Sequence, residues 1–267
     1  MIRLLIALLI FLVSCPSWAA ITYVGGQTGS FAGQTADLDI NFALTGGSDG
    51  TPASGDLVII TYCIASTLDH TLDIEDASAG NYTTLGTEGY ISDTYDTNMR
   101  VAYKFMTGTP DTAFGLNSDS TASDAIAYTA HVFRGVHATP LEQAVQQGTG
   151  ANTSVVNPGS ITPTTAGAVV YVAGCGALAT TRQGVYTSSD QTSFLSSAQD
   201  DTNAVNIGAG YIPWTSGAVS PATYGAGGTD NAEHSYAWMI VALAPAAESG
   251  GSAAPANAGA ILLLLGQ

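Results

Sequence analysis

Short apolar runs constrain the fold of this chain more than any other feature of its sequence. They recur between clusters of Gly, Asp, Asn, Ser, Thr and Pro, and almost none has the apolar spacing of an amphipathic helix. Turn segments such as GGSDG at positions 46–50 supply the backbone angles of tight reversals. Many strands without helices between them predict an all-β protein, an antiparallel β-sandwich or jelly roll. The main predicted strands are Leu38–Phe42, Leu57–Ile64, Met99–Met106, Ala125–Phe133, Ala168–Ala173, Ala204–Ile212 and Ser235–Leu243.

Matching segments indicate an internal repeat. Segment 55–63 (GDLVIITYC) and segment 167–175 (GAVVYVAGC) both begin with Gly and end with Cys, and each follows an approach rich in Pro and Thr. Two later pairs of tyrosines align in the same way: Tyr103 with Tyr211, and Tyr128 with Tyr236. The chain therefore carries two copies of one strand plan.

The repeat predicts two similar half-domains, about residues 21–134 and 135–245, within one sandwich that spans residues 20–245. A single half would leave an apolar sheet face in water, so we expect the two halves to pack together. Outside the sandwich, residues 1–19 predict a signal peptide or a retained apolar segment. Residues 246–267 predict a flexible linker with an apolar plug.

The cysteines of the two matching segments occupy equivalent positions. In an exported protein Cys63 and Cys175 are candidates for a disulfide, which would restrict the unfolded chain through the long loop that it closes. Two buried thiols that act as small apolar residues are the alternative. The sequence leaves both open, because equivalent strands of a sandwich can lie side by side or far apart.

The N-terminal segment resembles a secretory signal. The apolar run Leu4–Val13 follows a basic residue, and Ser17-Trp18-Ala19 has small residues where a signal peptidase cleaves. Cys15 also lies in a sequence that resembles a lipoprotein box. Cleavage after Ala19, lipidation at Cys15 and retention of the segment stay open. The signal predicts an exported protein, in the periplasm, on the cell surface or outside the cell.

The composition changes abruptly after Pro245. A stretch rich in Ala, Gly and Ser leads to five apolar residues near the end of the chain: Ile261, Leu262, Leu263, Leu264 and Leu265. This plug is too short to cross a bilayer, and its exposure to water would be unfavourable. We expect a neighbouring subunit, a partner in a larger assembly or a groove on the chain's own sandwich to cover it. A frayed terminus without a role is the alternative.

Charge excludes one class of partner. The chain has 5 basic and 21 acidic residues, which gives a formal net charge of −16. Binding to nucleic acid depends on basic side chains that neutralise phosphates. The sequence therefore predicts no nucleic-acid partner.

Motifs of the common catalytic sites are missing. The chain has no G-x-S-x-G turn for a serine nucleophile, no zinc-protease pair of histidines and no phosphate-binding loop. His70 lies between acidic residues and is a candidate metal ligand or general base, with a polar surface loop as the alternative. Asp73 and Glu75 form the densest acidic pair and carry a further hypothesis, a glycan-degrading enzyme. A solvated strand face is the alternative for this pair.

Two acidic loops suit a hard cation. Asp93 and Asp96 precede one predicted strand, and Asp200 and Asp201 precede its counterpart in the second half. Calcium binds carboxylate and carbonyl oxygens of this kind. The four carboxylates are therefore the candidate calcium ligands, although residues of this type also form turns and protect strand edges.

Aromatic residues in the second half are the other candidate binding groups. Tyr211, Trp214 and Tyr224 lie in a Gly-rich region, and aromatic rings of this kind stack on sugar rings. We take these three residues as the candidate glycan site.

The order of the strand segments resembles that of a known group of proteins. The segments are GDLVIITYCIAS, NMRVAYKFMTGTPD, AYTAHVFRGVHATPLE, GAVVYVAGCGA, GAGYIPWTSGA and YAWMIVALAPA. They resemble largely uncharacterised β-sandwich proteins, similar to jelly rolls, of tailed-phage structural modules and environmental bacterial genomes. The resemblance covers roughly residues 21–245, and VFRGV followed by TPLE is its most specific part. It implies a virion or surface component without catalytic residues, in which Arg134 bridges the sheet and the crossover and suits a carboxylate partner.

These observations predict a non-catalytic β-sandwich, exported or on a virion surface, that serves as a structural, decoration or adhesion module. We expect it to dock through its plug to a protein assembly, either copies of itself or virion neighbours. The alternative is a secreted carbohydrate-binding module that binds surface glycans with calcium-supported loops.

Overall fold

A computed structural model describes residues 19–32, 38–76, 82–119, 124–153, 155–178, 185–199, 203–226 and 233–247. Regular structure in these residues consists of β-strands alone. The predicted all-β class is therefore confirmed. The predicted signal segment lies outside the described residues, apart from Ala19. The predicted C-terminal linker and plug also lie outside them, apart from residues 246–247.

Seventeen strands, separated by turns and loops, lie within the described residues. They are β1 (Thr22–Ala32), β2 (Leu38–Asn41), β3 (Leu57–Ser66), β4 (Leu72–Asp76), β5 (Thr83–Thr84), β6 (Gly89–Ile91), β7 (Asp96–Phe105), β8 (Ala113–Ser118), β9 (Ala125–Arg134), β10 (Val136–Leu141), β11 (Gln146–Thr153), β12 (Val169–Leu178), β13 (Tyr186–Thr187), β14 (Thr192–Gln199), β15 (Ala204–Pro213), β16 (Gly225–Ala226) and β17 (Glu233–Pro245).

Two large antiparallel sheets form the body of the protein. The first sheet has the order β1-β9-β3-β7-β5, and β6 also pairs with β7. The second sheet has the order β10-β17-β12-β15-β14, and β11 also pairs with β17. Each sheet comes from one half of the chain, so the structure is a β-sandwich of two halves, as the repeat predicts.

The two sheets share one strand plan. In each, a central ten-residue strand lies between two later strands: β3 between β9 and β7, and β12 between β17 and β15. Tyr103 lies opposite Ile59, and Tyr211 lies opposite Tyr171. Segments 55–63 and 167–175 match in sequence, so this pairing gives Tyr103 and Tyr211 the equivalence that the sequence predicts.

The second predicted pair of tyrosines is wrong by two residues. Measured from the cysteine in each central strand, Tyr128 of β9 is equivalent to Trp238 of β17 rather than to Tyr236. Side chains alternate between the faces of a strand with a period of two residues. A shift of two keeps every residue on the same face, so the apolar pattern alone does not distinguish the two registers.

The core lies between the facing sheets. Alternate residues of β3 and β12, among them Ile59 and Tyr171, point into it and join one buried apolar cluster. Cys63 and Cys175 lie fully buried in this cluster and form a disulfide, with an S–S distance of 2.16 Å and a Cα–Cα distance of 6.3 Å. Equivalent residues that bond to each other must lie on the axis that relates the two halves. The disulfide therefore marks this pseudo-twofold axis.

The outer faces of the two sheets are covered differently. A three-stranded sheet of order β2-β8-β4 covers the first sheet and buries Phe114 and Ile74 against it. On the second sheet the covering elements are the β13–β16 pair and two segments that meet at isolated bridges, Val156 with Tyr224 and Ile161 with Val219. All ten residues of β3 are buried, as its continuous apolar run predicts.

The strands run between two ends of the sandwich, which we call the upper and lower poles. At the upper pole β3 ends at Ser66 and β9 begins at Ala125. At the lower pole β3 begins and β17 ends, and here the amide of Ala19 donates a hydrogen bond to the carbonyl of Ala246 (2.9 Å). The amide of Ala246 in turn donates to the carbonyl of Gly135 (2.7 Å), at the junction of the halves. Both flanking segments of the chain therefore start at the lower pole.

Candidate functional site

The three predicted sugar-binding aromatics do not form one site. Tyr211 points between the sheets, where its ring centroid lies 5.6 Å from that of Tyr23 and 5.3 Å from that of Phe133. Trp214 is half-buried just beyond the lower end of β15, and its indole N–H donates to the carbonyl of Gly217 (2.8 Å). These two residues therefore lie near the lower pole.

Tyr224 lies on the opposite, outer face of the second sheet. It is only 2% exposed, so its prediction as a stacking surface is wrong. The physical reason is a glycine in β12: a Cβ atom at Gly174 would lie 2.5 Å from the Tyr224 hydroxyl. The glycine leaves a hollow that the tyrosine ring fills. A Gly-rich sequence next to tyrosines thus produces a buried ring as readily as an exposed one.

Two of the predicted calcium ligands, Asp93 and Asp96, lie in the described residues, and their carboxylates accept the hydrogen bonds of a turn. Asp96 is buried, and its carboxylate accepts hydrogen bonds from the Asp93 amide (2.7 Å) and the Tyr90 hydroxyl (3.0 Å). The Asp93 carboxylate accepts one from the Thr94 amide (2.6 Å). Nowhere in the described ranges do three or more His, Cys, Asp or Glu side chains converge as metal ligands would. The other two candidate ligands, Asp200 and Asp201, lie outside those ranges.

The acidic pair on β4 follows the predicted alternation. Asp73 and Glu75 are half-buried on one face of the strand, while Leu72 and Ile74 point into the cluster beneath it. The next carboxylate, Asp76, is buried and pairs with Lys104. The pair therefore lies on the outer face of the covering sheet.

A cluster of hydrogen-bonded polar side chains lies at the upper pole, and we call it the His70 cluster. His70 Nε2 lies 2.8 Å from Ser66 Oγ and 3.2 Å from Asp124 Oδ2, and His70 Nδ1 lies 3.1 Å from Asp119 Oδ1. His70 is only 3% exposed, so the alternative of a surface polar loop is wrong. Burial would raise the pKa of Asp119, but hydrogen bonds from His70 and the Thr71 amide lower that pKa.

Ser66, His70 and Asp119 stand in the order of a catalytic triad, but two features change their chemistry. The buried Asp124 carboxylate competes with Ser66 for the same imidazole nitrogen. Ser66 is itself buried, and its Oγ already accepts the Leu68 amide (3.2 Å). A nucleophile must reach its substrate, and Ser66 does not in this arrangement. The cluster instead ties the loop after β3 to the loop before β9.

The His70 cluster also joins the two halves; sequence reasoning singled out His70 but not its partners. The Asn203 side chain, from the second half, donates to Asp124 Oδ1 (3.4 Å). Ser66 is four residues from His70, but the carboxylate partners Asp119 and Asp124 come from about fifty residues away, so no local pattern marks them. A histidine among acidic residues was the only signal in the sequence.

Arg134 lies at the junction of the halves and has the carboxylate partner that the resemblance suggested. Its guanidinium makes two hydrogen bonds to the fully buried Asp56 carboxylate (2.8 and 3.0 Å) and one to Asp49 (3.1 Å). These bonds raise the pKa of Arg134 above its ordinary value. Gly135 follows with a φ of 81°, a backbone angle that favours glycine, and the chain turns there into the second half.

A shallow cleft of about 250 Å³ lies at the same junction. Its acidic residue, Glu142, accepts hydrogen bonds from the amides of Thr164 and Thr165 (2.9 and 3.0 Å). The carboxylate is thus already used in holding the local backbone.

Comparison with known proteins gives no match: no family model, curated protein or solved structure matches this chain. The resemblance to phage and environmental β-sandwich proteins therefore stays an expectation. No described residues form a helix of the length and hydrophobicity that a bilayer-spanning segment needs.

Proposed function

We propose that the protein is a non-catalytic, exported or particle-surface β-sandwich that acts as a structural, decoration or adhesion module held at its lower pole. The observation that carries this proposal is the place where the sandwich begins and ends: Thr22 pairs with Arg134, and the Ala246 amide donates to the Gly135 carbonyl (2.7 Å), so both ends lie at the lower pole whether or not the chain is cleaved after Ala19. It means that the segments on both sides of the sandwich leave from the same pole. A partner bound at that pole would leave the upper pole and the sheet faces accessible to solvent.

Both flanking segments contain apolar residues that suit this attachment. Leu4–Val13 precedes Ala19, and the plug Ile261–Leu265 follows a linker at residues 248–260. An extended linker of this length reaches up to about 45 Å. Burying the plug against a neighbouring subunit or another component of an assembly would remove its apolar surface from water. The partner that fits is a protein assembly, homo-oligomeric or virion-like.

The disulfide supports the exported part of the proposal. Such bonds persist in oxidising compartments and are rare in the cytosol. The bond between Cys63 and Cys175 also links the two sheets covalently through the core. A body cross-linked in this way suits a module that bears load or holds a position.

The test compares the full chain with a chain that lacks residues 248–267. Ala246 and its bonds stay in place, so the sandwich is expected to fold with an unchanged melting temperature. Size-exclusion chromatography with light scattering, and sedimentation with the cell envelope, are expected to show an assembled or particle-bound full chain and a released monomer after the deletion. Mass spectrometry of the N-terminus identifies the mature start of the chain.

A matched control removes residues 249–257, which shortens the linker and keeps the plug, and this chain is expected to assemble. A second variant, Leu262→Ser with Leu264→Ser in the full chain, is expected to behave like the deletion. An association state that is the same with and without the plug would refute the docking proposal.

A further inference from the structure

Two aromatic residues form a row on the outer face of the second sheet. Tyr236 of β17 lies between Gly150 of β11 and Gly176 of β12 in the hydrogen-bonded ladder. Trp238, the next residue on that face, lies between Gly148 and Gly174. On both paired strands the residues opposite the two rings are therefore glycines, which have no side chain. We call this surface, Tyr236 and Trp238 with Gly148 and Gly150, the aromatic shelf.

Each ring lies against the backbone of the edge strand β11. A Cβ atom at Gly148 would lie 2.8–2.9 Å from three atoms of the Trp238 indole, and one at Gly150 would lie 2.4 Å from three atoms of Tyr236. Three similar distances mean that a ring rests with its face towards the glycine. Both residues are only half-buried, so part of each ring remains open to solvent.

The internal repeat provides a comparison. Tyr128, the equivalent of Trp238, rests in the same way on Gly29 of the edge strand β1. It is only 6% exposed, because the ring of Phe31 stacks on it at 6.1 Å and Phe114 of the covering sheet packs at 5.5 Å. The first half thus covers its ring.

Among the described residues of the second half, the matching surface is covered less completely, since Tyr236 and Trp238 are half-buried. Its covering residues, Tyr224 and Val156, lie over Gly174, and Trp238 packs against the cluster to which they belong. Gly159 approaches one end of the indole, since a Cβ there would lie 2.6 Å from it. On the side of β11, Tyr236 and Trp238 are half-buried. An aromatic residue over an edge glycine stabilises a sheet, and the first half shows that such a ring is compatible with a full covering. Stabilisation of the sheet therefore does not require the open surface.

We propose that the aromatic shelf binds a neutral polysaccharide by stacking sugar rings on Tyr236 and Trp238. Residues two apart on a strand are about 6.6 Å apart, so the rings form a row along which successive sugar units can lie. Exposed amides border the row: Gln146 on the same face of β11, and Asn157 in the segment that reaches Trp238. These side chains are uncharged, and a net charge of −16 disfavours polyanions. The inference goes beyond the attachment at the lower pole and does not depend on it, because the shelf lies on a sheet face.

The test measures depletion of the full chain from solution by insoluble cellulose, chitin and xylan, with the anionic polymer alginate as a comparison. Binding to at least one neutral polymer is expected. Trp238→Ala and Tyr236→Ala are each expected to weaken it about tenfold or more, a change equivalent to about 1.4 kcal/mol. Phe31→Ala is the matched control, since this half-buried ring stacks on Tyr128 of the first sheet and not on the shelf, and the affinity of this variant is expected to be unchanged.

A second measurement does not depend on a truncating variant. In the Trp214→Phe protein, soluble hexasaccharides of the bound polymer are expected to change the tryptophan emission, and Trp238→Phe is expected to abolish that change while keeping a ring over Gly148.

Several outcomes would overturn the inference. They are no binding to any of the three neutral polymers, unchanged affinity in the folded Trp238→Ala protein, preference for alginate, and a dimer that this variant converts to a monomer. The last would assign the shelf to a second copy of the chain. Failure of the docking test at the lower pole leaves these results unaffected.

Discussion

Replacing both Cys63 and Cys175 with alanine is expected to lower the free energy of unfolding by about 5 kcal/mol. The bond joins residues that are 112 positions apart. In the chain-entropy model, a cross-link that closes a loop of this length removes about 5 kcal/mol of conformational freedom from the unfolded chain. Both cysteines are fully buried between the sheets, so the missing sulfur atoms also leave small voids that add to the loss.

The assay is thermal unfolding followed by circular dichroism, with and without reductant. For a domain of this size, a loss of about 5 kcal/mol corresponds to a fall in melting temperature of about 10–20 °C. The reduced wild-type chain and the double variant are expected to melt at similar temperatures. Cys15→Ala is the matched control, because it removes a cysteine that does not belong to the bond, and it is expected to melt like the wild type.

A fall of less than about 3 °C in the double variant would refute this reasoning, since it corresponds to only about 1 kcal/mol. Reaction of both Cys63 and Cys175 with a thiol reagent in denatured, unreduced protein would refute it more directly. Either result would mean that the two sheets do not depend on a covalent link through their common axis.

Three further changes test the packing around the junction and the core. Arg134→Ala removes the two hydrogen bonds to the buried Asp56 carboxylate. The free energy of unfolding, measured by urea denaturation, is expected to fall by about 2–3 kcal/mol. A loss below about 0.5 kcal/mol would contradict this. Burial lowers the pKa of His131 from 6.5 to about 4. As the pH falls, this histidine therefore binds a proton in the unfolded chain before it does so in the folded one. The free energy of unfolding is expected to fall by up to about 3 kcal/mol between pH 6.5 and pH 4. His131→Phe is expected to remove that part of the pH dependence, and an unchanged pH profile would count against it. Gly174→Ala places a methyl group 2.5 Å from the Tyr224 hydroxyl and is expected to cost about 1–3 kcal/mol, measured by thermal melting; a neutral effect would mean that the ring is not held there.

The strands could be predicted because their signal is local. The apolar run at Leu57–Ile64 lies inside β3, and turn residues mark its ends. Burial of both faces also followed from the run, since a strand that is apolar throughout must be covered on each side. Equivalence of Tyr103 and Tyr211 could be predicted as well, because the repeat preserves the order of its strands.

The candidate sites depended on contacts between distant residues, and here the predictions were weaker. Tyr224 and Trp238 are both aromatic residues near glycines, yet Tyr224 is buried and Trp238 is only half-buried. The difference comes from which segment covers each ring. For His70 the sequence left a metal ligand or general base and a polar surface loop open, and the structure shows it buried with Asp119 and Asp124 as partners.

The sequence by itself determined the class of fold, the two-copy strand plan and the acidic character, because each depends on the type and spacing of neighbouring residues. Only the tertiary structure decided that Cys63 meets Cys175, that both chain ends leave at one pole and that the shelf at Tyr236 and Trp238 stays open. These outcomes depend on how one sheet is laid over another. Strands with the same apolar pattern permit several such arrangements, and the covering segments select among them.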